Sequence, residues 1–126
     1  MTYSEGSTIP AEQCRITVEE ALARLPGPAG ERFVPVFEHG TLQAEIYAPR
    51  GSDPQQPHTR DELYIVVQGS GVFLNGGVRH WFSRGDLLFV PAGREHRFEA
   101  FTDDLVTWVI FYGPEGGEAG PAGPEE

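Results

Sequence analysis

The strongest constraint on the fold is a period of two in the hydrophobic pattern between residues 33 and 112. Successive side chains on a β-strand point to opposite faces, so this period is typical of short strands buried on one face. Eight segments follow it, and they are Phe33–Phe37, Thr41–Ala48, Glu62–Gln68, Val72–Asn75, Val78–Phe82, Leu87–Val90, His96–Ala100 and Leu105–Tyr112. Turn residues separate them, and Asn75-Gly76 is a strong hairpin signal because a type I′ turn needs positive φ at both central positions. The pattern predicts an all-β fold, either a sandwich or a barrel.

The residues on either side of this region follow other patterns. Thr17 to Glu20 fits a capping box, which predicts one short helix over residues 18–25 that stops before Pro26. Residues 1–30 therefore read as an N-terminal arm with a short helix, and residues 31–112 as the barrel. The tail, residues 113–126, contains five glycines, three prolines and four glutamates but no basic residue. That composition predicts a disordered acidic tail.

Charge and composition exclude several kinds of partner. The chain has 126 residues, enough for one domain, and nine basic against nineteen acidic residues give a net charge of −10. This charge argues against nucleic acid or an anionic membrane surface as a partner.

No apolar run is long enough to span a bilayer, the N-terminus lacks a signal-peptide layout, and the single Cys14 cannot form an internal disulfide, so we expect a cytoplasmic protein. Edge strands need protection, which predicts a homodimer with residues 33–37 as a candidate edge.

A candidate metal site comes from the stretch that precedes and enters the third predicted strand. Gln56, His58, Arg60 and Glu62 occupy every second position, so strand geometry would direct all four to one face. Imidazole and carboxylate are both good ligands for divalent transition metals. His96 supplies a third ligand, because the corner made by residues 91–93 would return its strand towards the first. Two imidazoles and one carboxylate leave coordination positions open, which suits chemistry more than structural stapling.

These two segments resemble the paired motifs of the cupin superfamily. The first motif has the form G, five residues, HxH, three or four residues, E, six residues, G, and the second has the form G, five residues, PxG, two residues, H, three residues, N. The matching residues are His58, Glu62 and Gly69 in the first, with Gln56 at its first His, and Gly85, Pro91, Gly93 and His96 in the second, with Ala100 at its Asn. The resemblance implies a small single-domain jelly-roll β-barrel that holds one divalent transition metal. Zinc, iron, manganese, nickel and copper all remain open.

Several polar residues near the predicted ligands have more than one possible role. Gln56 could ligate the metal weakly, could bond a bound water, or could mark a site that has lost its metal. Arg60 could neutralise Glu62, could bind an anionic substrate group, or could be solvated at the barrel mouth. Tyr64 shares the parity of Glu62, so both are candidates to move a proton, although such a tyrosine is more often core. Tyr47 lies with Glu45 on one face of its strand and is a candidate to line the substrate pocket.

Three classes of function follow. The first is a metal-dependent enzyme on a small polar or anionic organic molecule, for which the resemblance implies dioxygenase, isomerase, epimerase or lyase chemistry. The second is a non-catalytic module that binds a sugar or a small acid. The third is a metal-free barrel with a structural or storage-like role. For the first two we expect a cavity of modest size with one basic group, which would suit a small carboxylate, phosphate or hydroxylated ligand.

Overall fold

The computed structural model of the protein describes residues 8–54 and 56–119 and contains all eight predicted strands. The strands are β1 (Phe33–His39), β2 (Leu42–Tyr47), β3 (Asp61–Gln68), β4 (Gly71–Asn75), β5 (Val78–Phe82), β6 (Leu87–Val90), β7 (His96–Glu99) and β8 (Val106–Tyr112). A short 3-10 helix, Ala11–Gln13, and one α-helix, α1 (Val18–Leu22), precede them. The boundaries agree with the sequence pattern to within two residues at most strand ends.

The strands form two antiparallel sheets. Five strands pair in the order β1-β2-β8-β3-β6, and three pair in the order β5-β4-β7. This arrangement confirms the predicted all-β jelly roll, and within the described residues the strand pairing forms two sheets without a closed ladder. The register of β2, β8 and β3 places Gln43, Phe111 and Glu62 in one row across the large sheet. The next row along the strands, on the same face, contains Glu45 and Tyr64 with Val109 between them.

The helix α1 begins as predicted. Thr17 Oγ1 accepts a hydrogen bond from the Glu20 backbone N–H at 3.0 Å, and the Glu20 side chain accepts one from the Thr17 N–H at 2.8 Å. The helix ends at Leu22, three residues short of the prediction, because the chain goes into a turn before Pro26. Ala21 is fully buried against the outer face of the large sheet. Among the described residues, no helix has the length and apolar character needed to cross a bilayer.

An aromatic core fills the space between the two sheets. Phe98 on β7 lies at its centre, with ring centroids 4.8 Å from Phe73, 5.0 Å from Tyr64 and 5.2 Å from Phe82. All four rings are at most 3% exposed. Because Tyr64 also contacts His96, this packing fixes one wall of the candidate site.

The disorder predicted for residues 113–126 does not extend over residues 113–119, which we call the C-terminal strap. The Gly116 N–H donates to the Thr59 carbonyl at 2.7 Å, and the Glu118 N–H donates to Asp61 Oδ2 at 2.8 Å. The composition of the strap predicts that it buries little hydrophobic surface. Hydrogen bonds from its main-chain N–H groups to acceptors on the barrel hold it in place instead. Residues 120–126 lie outside the described part of the chain.

Candidate metal centre

The structure brings three predicted ligands together. One ligand atom from each of His58, Glu62 and His96 lies within 4.8 Å of the other two. His96 Nε2 is 3.3 Å from Glu62 Oε1, and His58 Nε2 is 4.0 Å from Glu62 Oε2. Glu62 and His96 are at most 2% exposed, whereas His58 is half-buried. Glu62 on β3 and His96 on β7 therefore converge from the two sheets, and His58 joins them from the segment before β3.

A glycine corner holds the two ligand-bearing segments against each other. Residues 91–93 turn the chain between β6 and β7, and Gly93 has a φ of +82°, a conformation that favours glycine. The Gly93 N–H donates to the His58 carbonyl at 2.7 Å. The same turn therefore delivers His96 on β7 and fixes the main chain of His58.

Strand alternation does not explain the position of His58. The strand β3 begins at Asp61, so Gln56, His58 and Arg60 lie in irregular chain before it, and the prediction that four alternate residues share one strand face is wrong for these three. His58 nevertheless reaches Glu62, and Gln56 is exposed at the cavity wall. The predicted ligation by Gln56 stays a prediction.

Arg60 points its guanidinium towards main-chain carbonyls. Its Nε donates to the Gly113 carbonyl at 3.1 Å, and its Nη2 donates to the Thr41 carbonyl. An arginine has five N–H donors, so about three remain for a ligand at the cavity wall that Arg60 also lines. Its predicted role in substrate binding stays a prediction.

Hydrogen bonding fixes the tautomer of His96. Its Nδ1 lies 2.9 Å from the carbonyl oxygen of Arg94, and a carbonyl can only accept, so Nδ1 carries the proton. The lone pair on Nε2 then faces Glu62 and accepts a hydrogen bond from the Tyr64 hydroxyl at 3.2 Å. A ring held by its Nδ1–H, with the Nε2 lone pair directed into the site, is the usual arrangement of a metal-bound histidine.

The carboxyl group of Glu62 is buried and faces two imidazoles rather than a permanently charged cation. Neither oxygen has a hydrogen-bond partner among the described residues. Burial raises the pKa of Glu62 to about 8, the nearby Tyr64 hydroxyl lowers this pKa to a lesser extent, and the Glu45 and Asp53 carboxylates raise it. A buried carboxyl in this state needs either a proton or a cation.

The imidazole of His58 is held in the neutral form. Burial lowers the pKa of His58, and the neighbouring His96 lowers it further. Neutral imidazole is the form that ligates metals. Together with the unpartnered carboxyl of Glu62, this shows that the donor set fits a divalent transition metal.

A cavity of about 820 Å³ opens next to the three ligands. Its wall includes His58 and Phe111, while Glu62 and His96 lie deeper in the protein. The volume suits a small organic molecule. The sequence analysis expected one basic group, but three arginines line the cavity, and they are Arg32, Arg50 and Arg60.

Tyr47 lines this cavity, as predicted, but its hydroxyl is engaged. It donates to Asp53 Oδ1, while Asp53 Oδ2 accepts from the Phe98 N–H at 2.7 Å. Burial raises the pKa of Tyr47, and the Asp53 carboxylate raises it further. Tyr47 therefore offers a ligand the face or edge of its ring, and its part in substrate binding stays a prediction. Sequence reasoning missed Asp53, because one aspartate in a Pro-rich segment carries no periodic signal.

Glu45 is a further carboxyl group, and it lies on the cavity wall. Burial raises its pKa to about 7, and the Gln43 side-chain amide donates to its Oε2 at 3.2 Å. The sequence shows that Glu45 and Tyr47 lie two positions apart and so share one face of their strand. The closeness of Glu45 to Glu62 depends on how β2, β8 and β3 pair. The sequence pattern did not identify Arg32 and Arg50 as site residues, because both lie just outside the strands that carry the hydrophobic period.

Comparison with known proteins decides the family. A family model described as the cupin domain matches residues 44–112, more than half of the chain. The chain belongs to the cupin family. This match confirms the resemblance drawn from the two motifs, and the cupin region spans β2 to β8.

Individual relatives of this cupin agree with the assignment. The chain is 39% identical over 64 residues to the uncharacterized protein SCO3923 of Streptomyces coelicolor, covering 51% of this chain and 61% of that one. It is 35% identical over 71 residues to the HTH-type transcriptional activator RhaS of Yersinia pestis, covering 56% of this chain and 26% of the activator. The chain thus spans less than two thirds of either relative. A cupin-2 domain containing protein from Shewanella frigidimarina superposes with a TM-score of 0.63 at 17% identity, covering 82% of this chain and 99% of that one, which shows the shared fold.

The protonation of Glu62 predicts a pH-dependent affinity for metal in this cupin. Without a cation, a pKa of about 8 keeps Glu62 protonated at pH 7, so a divalent ion must displace a proton to bind the carboxylate. We expect the apparent affinity for Co²⁺ to rise by about tenfold per pH unit from about 6.5 to 8 and then to level off. Calorimetric titrations of chelator-treated protein in buffers of different ionisation enthalpy would count the released protons. Release of no proton at pH 7 would contradict the assignment.

Proposed function

We propose that this cupin is a metal-dependent enzyme that acts on a small polar or anionic organic molecule. The observation that carries the proposal is the buried Glu62 carboxyl, which has no hydrogen-bond partner among the described residues and faces the imidazoles of His58 and His96. These three residues would hold one divalent transition metal, with Gln56 as a weaker fourth ligand from the cavity wall. Zinc, iron, manganese, nickel and copper all accept such a donor set. A bound ion would polarise a substrate oxygen and leave positions open for substrate.

The protein groups that would handle protons are Glu62, Tyr64 and Glu45. When Glu62 serves as a ligand it must remain ionised, which restricts its use as an acid. In the structure the Tyr64 hydroxyl donates a hydrogen bond to His96 Nε2. When a metal takes the Nε2 lone pair, the Tyr64 hydroxyl needs another acceptor, and the Glu62 carboxylate would serve. Glu45 faces the cavity with a pKa of about 7, close to the value at which a carboxyl group can both give and take a proton at neutral pH.

Substrate contacts are proposed at the cavity wall. Arg60 retains donors after bonding to two carbonyls, and the Tyr47 ring lines the same cavity as His58. Cavities of this size bury most of a small ligand and orient it by a few polar groups. The wall therefore suits a molecule with both a hydrocarbon or sugar face and a polar group.

A non-catalytic binding module is the second candidate. The similarity to the activator RhaS favours it, because in that protein a region of the same family is joined to a transcription function. In this case the metal and Arg60 would order a ligand without converting it. Incubation with a panel of small hydroxy acids and phosphorylated sugars, followed by mass spectrometry, separates the two candidates: metal-dependent product formation supports the enzyme, and binding without conversion supports the module.

Metal content is the direct test of the shared premise. Protein purified without a metal-affinity column and without added metal is expected to contain about one transition-metal ion per chain by elemental analysis. Chelator treatment should lower the melting temperature, and the ion found should restore it, because an ion that binds the folded state stabilises it. Full-length protein that neither contains a transition metal nor gains stability from any of the five candidate ions would instead support the metal-free barrel.

A homodimer is our proposal for the assembly. The predicted edge strand β1 is at the edge of its sheet, but Val34 and Val36 are buried beneath α1. The most exposed large apolar side chains lie on other edge strands, with Trp81 on β5 83% exposed and Leu87 on β6 62% exposed. We therefore place the dimer contact at β5 and β6, and a solution mass of twice 13.8 kDa would support it. The cytoplasmic location stays a prediction.

A further inference from the structure

The cavity has a basic end that the metal centre does not use. Arg32 immediately precedes β1, and its Nε donates to the Ala48 carbonyl at 2.9 Å, which lays the guanidinium along the end of β2. Arg50 follows two residues after Ala48. Both arginines line the 820 Å³ cavity.

The two guanidinium groups are close enough to affect each other. Burial lowers the pKa of Arg32, and the charge of Arg50 lowers it further. In the described residues, the ion pairs are formed by other groups, and neither Arg32 nor Arg50 is in one. Two like charges at one wall repel each other, and an anion bound between them would offset that repulsion.

Two carboxylates on the cavity wall, Glu31 and Glu115, form no ion pair with these arginines in the described residues. Glu31 turns towards the preceding loop, where its Oε1 accepts from the Ala29 N–H at 2.9 Å. Glu115, on the C-terminal strap, lines the cavity but is exposed and forms no ion pair with either arginine in the described residues. Arg32 and Arg50 thus line this end of the cavity without a carboxylate partner among the described residues.

The basic end and the imidazole end lie at different ends of β2. Gln43 pairs with Phe111, whose ring is 5.0 Å from that of His58, whereas Ala48 and Arg32 are joined at the other end of the strand. Ala48 is five positions after Gln43 in extended chain, which corresponds to roughly 16 Å of backbone. One small molecule can therefore present different groups to the two ends.

We infer that Arg32 and Arg50 form an anion subsite that binds a carboxylate or phosphate group of the substrate while its reacting end faces His58. Guanidinium groups recognise both anions by paired N–H donors, so the shared chemistry is a planar or tetrahedral oxyanion. The inference rests on the proposed function, and it moves the main anion contact from Arg60, whose donors partly serve main-chain carbonyls, to this pair.

The test measures anion binding separately from metal binding. Full-length protein, as purified and after chelator treatment, is titrated with inorganic phosphate and with succinate at constant ionic strength, following backbone amide shifts by NMR. We expect saturable binding of at least one probe in both preparations, and the tighter probe identifies the substrate's anionic group as phosphate or carboxylate. Arg50→Gln and Arg32→Gln should each weaken it by at least about tenfold.

The controls separate this inference from the proposed function. Arg84→Gln removes the same charge from an exposed loop outside the cavity and should leave binding unchanged. Chelator-treated wild-type protein should bind the anion as tightly as the protein as purified, so loss of metal does not mimic loss of the subsite. Absence of saturable binding, or an equal loss in Arg84→Gln and Arg50→Gln, overturns the subsite even if the protein binds its metal.

Discussion

Replacing His96 by alanine is expected to lower the affinity for Zn²⁺ by more than about 100-fold and to leave the purified protein without stoichiometric metal. The reason is that His96 Nε2 lies 3.3 Å from Glu62 Oε1 with its lone pair directed into the site. Changes to groups that only position a metal ligand usually cost 10- to 100-fold, so loss of a ligand should exceed that range. Competition with a chromophoric chelator measures the affinity, and elemental analysis measures the content.

A matched histidine variant controls for this substitution. His80→Ala changes an exposed residue on β5, and it should bind metal like the wild type. Glu62→Gln preserves side-chain shape and should behave like His96→Ala, whereas Tyr64→Phe, which removes a neighbouring hydroxyl, should cost about tenfold. Full metal content in folded His96→Ala or His58→Ala protein would show that the ion binds elsewhere.

The substitution Phe98→Ala is expected to lower the free energy of unfolding by about 3–5 kcal/mol. Phe98 is 2% exposed and packs against the rings of Tyr64, Phe73 and Phe82 between the two sheets. Its removal leaves a cavity that the strands can close only in part. Urea unfolding of chelator-treated protein gives the value without a contribution from bound metal.

An exposed phenylalanine provides the comparison. Phe33 is 42% exposed at the start of β1, so Phe33→Ala should cost less than about 1 kcal/mol. A loss below about 1 kcal/mol for Phe98→Ala would mean that the interior repacks around the gap. Such a result would also mean that the aromatic core does not hold Tyr64 beside His96.

Local patterns predicted most of the fold because this chain follows them closely. All eight predicted segments are strands in the structure, and the turn at Asn75-Gly76 and the capping box at Thr17 each depend on a few adjacent residues. The helix extends less far than predicted, since propensity alone does not show where the chain must turn to return to the sheet. The residues of the strap were assigned to a disordered tail because composition does not reveal where main-chain donors find partners.

The metal ligands were predictable, but the rest of the cavity was not. Motif spacing identified His58, Glu62 and His96, although His58 reaches its place through an irregular segment and not by strand alternation. Asp53 and the pair Arg32 and Arg50 depend on contacts between segments distant in sequence. No local pattern reports such contacts, so these residues emerged only from the three-dimensional arrangement.

The C-terminal strap ties the end of the chain to the segment that carries a ligand. Gly116 bonds to Thr59, and Asp61 accepts N–H donors from both Glu118 and Ala92, one from the strap and one from the corner before His96. Chain termini usually tolerate deletion and lengthening with little effect on the rest of a domain. In this protein, shortening the chain to Tyr112 would release the main chain next to His58. We therefore expect deletions and substitutions to be tolerated only beyond residue 118.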